Sequence, residues 1–422
     1  MDTKGTVLNT NWVDKRTHLD IQSLSQIATA RAESFFNADV LALYETMRSE
    51  VRGKRVLVVG GAGTIGSATT DFISAFEPAS LHVVDQNENA LAELTRHLRS
   101  RAEGMNIADF RTFPIDYGSP IMRVALDTTG NHDLVLNFAA LKHVRSEKDV
   151  PSLLQMLDTN LVKNRFLMRE LAERGFEGRY FCVSTDKAAN PVNLMGASKR
   201  VMEHLIFSRR CTPSFNGKVT SARFANVAFS DGSLLQSFIH RLAKRQPLAA
   251  PRATERYFVS PGESGEICAV AALTAPADTI VVPKLDPRQH LKRLEDVAIG
   301  FLKAHGLTPD IVESEAAARM TAATASNGSY PLLLTSLDTS GEKPYEEFVG
   351  RGETARDLGL QSFSAVDYLQ PPDGSLEQLL DLVDAVMSGK VKCDKAKLVQ
   401  AIAAVVPELQ HRETGRNLDQ RM

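Results

Sequence analysis

Apolar residues recur at helical spacing between Asp20 and Glu50: Ile21, Leu24, Ala28, Ala32 and Phe35, then Val40, Leu41, Tyr44 and Met47. Such steps place them on one helix face, so the stretch predicts one or two amphipathic helices packed on the domain that follows. Residues 1–18, ahead of it, are polar and irregular. At about Val51 the rhythm changes. Short β-rich runs at 55–59, 81–84, 109–114, 134–138, 180–184 and 219–224 alternate with helical patterns at 64–76, 87–103, 151–174 and 191–210. Alternation of this kind specifies a parallel sheet covered on both faces. The fold class is therefore α/β, with a Rossmann-type doubly wound parallel sheet over residues 51–224.

Beyond Ala225 the alternation weakens. Residues 225–370 read as a smaller substrate lobe, with a strand at 279–283 and helices near 233–245, 262–274 and 292–305. Within it, 314–330 is rich in Ala, Thr and Ser and reads as a surface insertion. After Pro371-Pro372, helical runs at 375–388 and 394–405 form a C-terminal extension (371–422), matching an N-terminal one (1–50).

Composition narrows the function. The 422 residues are 43% hydrophobic and 24% charged, with room for two domains or one large α/β domain with extensions. A net charge of -2 offers no electrostatic footprint for nucleic acid or an anionic membrane. Cys182, Cys211, Cys268 and Cys393 are widely spaced, which argues against structural zinc and disulfides. No apolar run reaches the about 18 residues that span a bilayer, and Met-Asp-Thr-Lys-Gly does not begin like a signal peptide. The expectation is a cytoplasmic protein with no metal, no nucleic-acid partner and no membrane insertion.

The strand at 55–59 runs into Gly60-Gly61-Ala62-Gly63-Thr64-Ile65-Gly66 and then a helix. Glycines at 60, 63 and 66 suit a dinucleotide turn: one for the tight bend, one for approach to pyrophosphate, one for close packing of the helix. The amides of Thr64, Ile65 and Gly66 open that helix, whose positive end holds phosphate. Asp85 ends the next strand, where a carboxylate can bind ribose hydroxyls. Gln86-Asn87-Glu88 supplies no arginine for a 2′-phosphate, so NAD is favoured over NADP. Asp116 is placed at the adenine edge or caps a helix, and the small Ala139 and Ala140 let backbone lie against the cofactor.

The fifth strand delivers Ser184-Thr185-Asp186-Lys187 to the carboxyl edge of the sheet, and Lys199 follows on the next helix, one turn from Met195. In most short-chain dehydrogenases this pair is Tyr-x-x-x-Lys, but Met195 carries no proton. The longer stretch Ser184–Glu203, STDKAANPVNLMGASKRVME, closely resembles the UDP-N-acetylglucosamine 4,6-dehydratases, the CapD-like polysaccharide-biosynthesis branch of extended short-chain dehydrogenases. Some members of that branch also carry methionine there. AALKHV, from Ala139 through Lys142 and His143, and the Thr159-Asn160 pair are similar to two further elements of the family. The resemblance covers roughly residues 50–350.

The resemblance implies a cycle at one sugar. Carbon 4 is oxidised, water is lost across carbons 5 and 6, and hydride returns at carbon 6. Asp186 would then protonate the leaving hydroxyl, Lys187 would take the carbon-5 proton, and Thr185 would bond the carbon-4 oxygen. Lys199 or Asp186 would serve the carbon-4 step. Asn160 and Lys199 would contact the cofactor; Lys142, His143, Met195, Asn226 and Arg256 would line the substrate, a UDP-linked sugar. Two elements depart from the family: GSRGSV becomes Phe229-Ser230-Asp231-Gly232-Ser233-Leu234, and RPGEK becomes Thr339-Ser340-Gly341-Glu342-Lys343. Two cationic contacts to the nucleotide are thereby absent. A nucleotide-sugar 4-epimerase, a net dehydrogenase and a non-catalytic NAD-binding scaffold are the competing readings, and a homodimer or higher homo-oligomer is expected.

Overall fold

The computed structural model describes residues 19–209, 211–324, 328–336, 343 and 345–412. The irregular stretch 1–18 and positions 339–342 of the departing RPGEK element lie outside them. In chain order the strands are β1 (Arg55–Val59), β2 (Ser80–Val84), β3 (Asp109–Phe113), β4 (Leu134–Asn137), β5 (Arg179–Val183), β6 (Lys218–Ala222), β7 (Asn226–Val227) and β8 (Leu248–Pro251). Then come β9 (Glu255–Val259), β10 (Thr279–Pro283), β11 (Leu291–Arg293), β12 (Thr308–Val312), β13 (Ser329–Thr335), β14 (Ala355–Asp357) and β15 (Phe363–Asp367). The helices are α1 (Ile21–Thr29), α2 (Asn37–Val51), α3 (Thr64–Ser74), α4 (Glu88–Arg99), α5 (Pro120–Thr129), α6 (Val150–Leu157), α7 (Lys163–Glu173) and α8 (Leu194–Ser208). They continue with α9 (Leu234–Ala243), α10 (Pro261–Leu273), α11 (Pro287–His290), α12 (Leu294–Ala304), α13 (Glu315–Thr324), α14 (Ser375–Met387) and α15 (Lys395–Val405).

Among the described residues nine strands form one sheet, ordered β14-β15-β10-β6-β5-β4-β1-β2-β3. The seven from β10 to β3 are parallel, while β15 pairs antiparallel with β10 and β14 antiparallel with β15. Both faces of the middle strands are covered, which is why β1, β2 and β4–β6 are buried almost throughout. The order reverses between β1 and β4, so the crevice at their carboxyl ends is where a doubly wound sheet binds ligands. One helix group, α2, α3 and α10, packs together; α6, α8, α14 and α15 form a second.

Three differences from the sequence reading have clear causes. The strand at 279–283 joins the large sheet instead of the smaller lobe, because β10 is buried throughout and pairs with β6. Helix α10 packs on α3, where a Cβ at Gly265 would lie 2.8 Å from the Ala68 carbonyl oxygen. The described parts of 314–330 join the fold: α13 buries Ala318 and Ala322, and Ser329 opens the core strand β13 between β12 and β8. Alanine-rich composition marks helix as readily as loop.

A second core joins Phe229, Phe238, Phe258, Phe301 and Tyr330 with Leu24 and Ala28 of α1. Helix α2 is tied to the large sheet through Asp39, whose buried carboxylate accepts from Gln361 N at 3.0 Å, from Ser362 N at 2.6 Å and from the Ser362 hydroxyl.

Candidate active site

The glycine turn is fixed by contact. Gly60 has φ 70°, and a Cβ there would lie 2.5 Å from Ala139 N, so glycine alone lets the ends of β1 and β4 meet. At Gly66 a Cβ would lie 2.2 Å from the Gly60 oxygen, which brings α3 down onto the turn. Gly63 differs, since the nearest atom to its Cβ would be 3.7 Å away. The space beside it is open. Gly63 is the N-cap of α3, and no side chain caps that helix. The first amides, those of Thr64, Ile65 and Gly66, thus face a cradle suited to an anion.

Asp85 lies beside this turn, accepting from Ala62 N at 3.0 Å and Asn87 N at 2.9 Å. Asp116 accepts from Gly118 N at 2.9 Å and pairs with Lys163 at 2.5 Å; the cap of α5 is Ser119 instead. Ala139 and Ala140 are half-buried in the loop after β4. Asn160 is 2% exposed, and its amide is fully used: Oδ1 accepts from Leu141 N at 2.9 Å, and Nδ2 donates to Leu141 O at 3.1 Å and Ser198 Oγ at 3.0 Å. It holds the loop after β4 against α8. To do so it sits in a π-helical turn, Asp158–Val162, that interrupts the expected helix at 151–174.

The loop 229–233 crosses this region. Thr64 Oγ1 donates to Asp231 Oδ2 at 3.0 Å and accepts from Asp231 N at 3.0 Å. The His143 ring lies against Gly232, where a Cβ would be 2.6 Å from Nε2. Burial, then Lys142 and Arg145, depress the His143 pKa. Lys142 opens to solvent, yet the surrounding protein lowers its ammonium pKa, with Asp231 opposing.

The turn Thr185–Lys187 is built at the end of β5. Thr185 Oγ1 donates to Asp186 Oδ1 at 2.8 Å, and the same oxygen accepts from Lys187 N at 2.9 Å and Lys187 Nζ at 3.1 Å. Asp186 is fully buried, and its Oδ2 has no hydrogen-bond partner among the described residues. Lys187 Nζ also donates to Asn226 Oδ1 at 3.3 Å. Lys199 is 4% exposed; burial depresses its pKa, and no hydrogen bond to its amine is present among the described residues. Thr185, Asp186, Lys187 and Asn226 thus converge. Met195 does not, being 3% exposed within the large core. Arg256 Nη1 donates to Glu255 O at 2.8 Å and Lys343 O at 3.1 Å.

Two features escaped the sequence reading. Fully buried Arg223 pairs with Glu203 at 2.6 Å and with Glu353 at 2.6 Å, and Arg200 joins both carboxylates. Ser184 Oγ donates to Glu203 at 2.6 Å, so the network anchors the strand end. Glu346, 2% exposed, stands beside Lys187. The Arg223–Glu203, Arg223–Glu353 and Arg200–Glu353 pairs join residues 20, 130 and 153 positions apart, which leaves no local signal.

A family profile described as "Polysaccharide biosynthesis protein" matches residues 56–367. The chain belongs to this polysaccharide-biosynthesis family. It is 31% identical over 278 residues to an uncharacterized membrane protein of Methanocaldococcus jannaschii, covering 64% of this chain and 78% of that one. It is 27% identical over 368 residues to the probable polysaccharide biosynthesis protein EpsC of Bacillus subtilis, covering 87% of this chain and 56% of EpsC. To a UDP-N-acetylglucosamine 4,6-dehydratase (inverting) of Campylobacter jejuni it is 27% identical over 213 residues, 49% of this chain and 60% of the relative. The chain thus spans little more than half the length of EpsC. Pen from Bacillus thuringiensis shares the fold with TM-score 0.60 at 21% identity, covering 75% of this chain and 88% of that one. No helix among the described residues of this family member is long and apolar enough to cross a membrane.

Proposed function

We propose that the chain is a nucleotide-sugar 4,6-dehydratase that binds NAD and acts on a UDP-linked N-acetylhexosamine or a close analogue. The observation that carries this reading is the Asp186–Lys187 pair at the carboxyl edge of the sheet, with one buried carboxylate oxygen unpartnered among the described residues. A dinucleotide suits the residues present. The cradle at Gly63, the uncapped start of α3 and Asp85 beside the turn would hold its phosphates and ribose, and the Lys199 amine, with no hydrogen-bond partner among the described residues, would meet the second ribose. When bound, NAD supplies reversible hydride transfer.

The side chains then divide the proton work. Asp186, neutralised by a proton passed from Lys187 across their hydrogen bond, protonates the carbon-6 hydroxyl as it leaves, and its Oδ2 has no partner among the described residues. Lys187, held by Asp186 and Asn226, takes the proton from carbon 5. Thr185 commits its proton to Asp186, so it fixes that carboxylate and meets the carbon-4 oxygen only as an acceptor. Epimerisation at carbon 4 requires no such pair, and the buried Met195 leaves it without the usual phenol. The reading is tested with a panel of sugar nucleotides. Mass loss of one water without accumulating NADH supports dehydration. Asp186→Asn is expected to lower turnover by about 10²–10⁴-fold with NAD binding intact. Unchanged mass, or full activity in that variant, overturns the assignment.

A further inference from the structure

Four charges of alternating sign run through the site. Asp186 Oδ1 lies 3.1 Å from Lys187 Nζ, Lys187 Nζ lies 4.0 Å from Glu346 Oε1, and Glu346 Oε2 lies 2.9 Å from Lys343 Nζ. Glu346 is buried, and the Lys343 amine also donates to Asn190 O at 3.2 Å. The segment carrying Glu346 is pinned to the turn after Lys187. Asn190 Nδ2 donates to Glu347 at 2.8 Å, and Arg351 N donates to Asn190 Oδ1 at 2.9 Å. A Cβ at Gly350 would lie 2.3 Å from Ala189 O, so backbone meets backbone there. A carboxylate presented this way is held in place by the same turn that presents Lys187.

We infer that Glu346 is a positioning residue for Lys187: its carboxylate stands 4.0 Å from the amine that Asp186 holds at 3.1 Å, and Lys343 tempers its pull. The inference rests on the dehydratase reading for its catalytic meaning, though its physical content is independent of turnover. Two carboxylates on one ammonium would hold it charged and fixed, and a base must be released from that grip to take a proton. Lys343, on the far oxygen of Glu346, weakens one of the two. Asn226 from β7 bonds the Lys187 amine, Tyr257 from β9 is coupled to Asp186, and α8, which carries Lys199, packs on the same turn. Neither Asn226 nor Tyr257 carries charge near neutral pH; burial, then Asp286, raises Tyr257 to about 12.

The test is the reactivity of the Lys187 amine toward trace acetic anhydride at pH 8, read by peptide mass spectrometry on the full chain without sugar nucleotide. Glu346→Gln is expected to raise the rate about tenfold, because removing the charge frees the amine. Lys343→Met is expected to lower it severalfold, because Glu346 is then unopposed. Opposite signs mark charge; looser packing would raise both. No change in either variant, or a change of the same sign in both, overturns the inference. Should Glu346→Gln fail to fold, a fall in Lys343→Met supports the inference and its absence overturns it. Failure to turn over any sugar nucleotide would count against the dehydratase reading alone.

Discussion

Replacing Glu203 by Gln keeps the shape of a fully buried side chain and removes one charge from the network of Arg200, Arg223 and Glu353. Burial opposes the charge on Glu203, but Arg223 and Arg200 overcome it and hold the carboxyl at about 2 against an ordinary 4.5. A depression of that size corresponds to roughly 3 kcal/mol at neutral pH. Breaking one member of a buried ion pair costs about 3–5 kcal/mol, a concordant figure. The sign follows from the direction. A carboxyl lowered on folding stabilises fully above its unfolded value near 4.5, and that stabilisation is lost as pH falls toward 2. Urea unfolding of wild type and Glu203→Gln at pH 7 should therefore differ by about 3 kcal/mol, and at pH 3.5 by roughly 1.5 kcal/mol less. A difference under about 1 kcal/mol at pH 7, or one that does not shrink on acidification, refutes the reasoning.

Gly63→Ala should fold normally, since its Cβ meets only open space, and lose dinucleotide affinity, whereas Gly66→Ala, clashing with the Gly60 carbonyl, should lose about 3 kcal/mol of stability; calorimetric titration with NAD and thermal melts separate the two. Lys199→Met removes a buried ammonium that has no hydrogen-bond partner among the described residues, so the protein without cofactor should gain about 1–2 kcal/mol while NAD binding weakens about tenfold. A variant that is both less stable and equally tight would contradict the role given to Lys199. Asp39→Ala strips the backbone of Gln361 and Ser362 of their acceptor and should cost about 2–3 kcal/mol, read by denaturant midpoint.

The alternation of strands and helices was legible because the middle parallel strands are buried on both faces, and the turn because Gly60 and Gly66 are dictated by backbone contact. Thr185, Asp186 and Lys187 were legible for a related reason: adjacent residues at a strand end reach the same edge of the sheet together. Long-range geometry was not. Nothing near residue 279 announces that β10 pairs with β6, and the alanines of α13 suit a loop as well as a helix. Asn160 carried a family signature, yet its amide serves the Leu141 backbone. Glu346 and Glu353 reach the site from beyond position 340, through a segment whose sequence departs from the family just before them.

The most direct test of the central claim is the product mass from UDP-N-acetylglucosamine incubated with the NAD-loaded protein in heavy water. A Lys187 that exchanges the carbon-5 proton predicts loss of one water and gain of one deuterium at carbon 5, both abolished in Lys187→Ala. Water loss with no deuterium at that carbon, or undiminished in Lys187→Ala, would contradict the account.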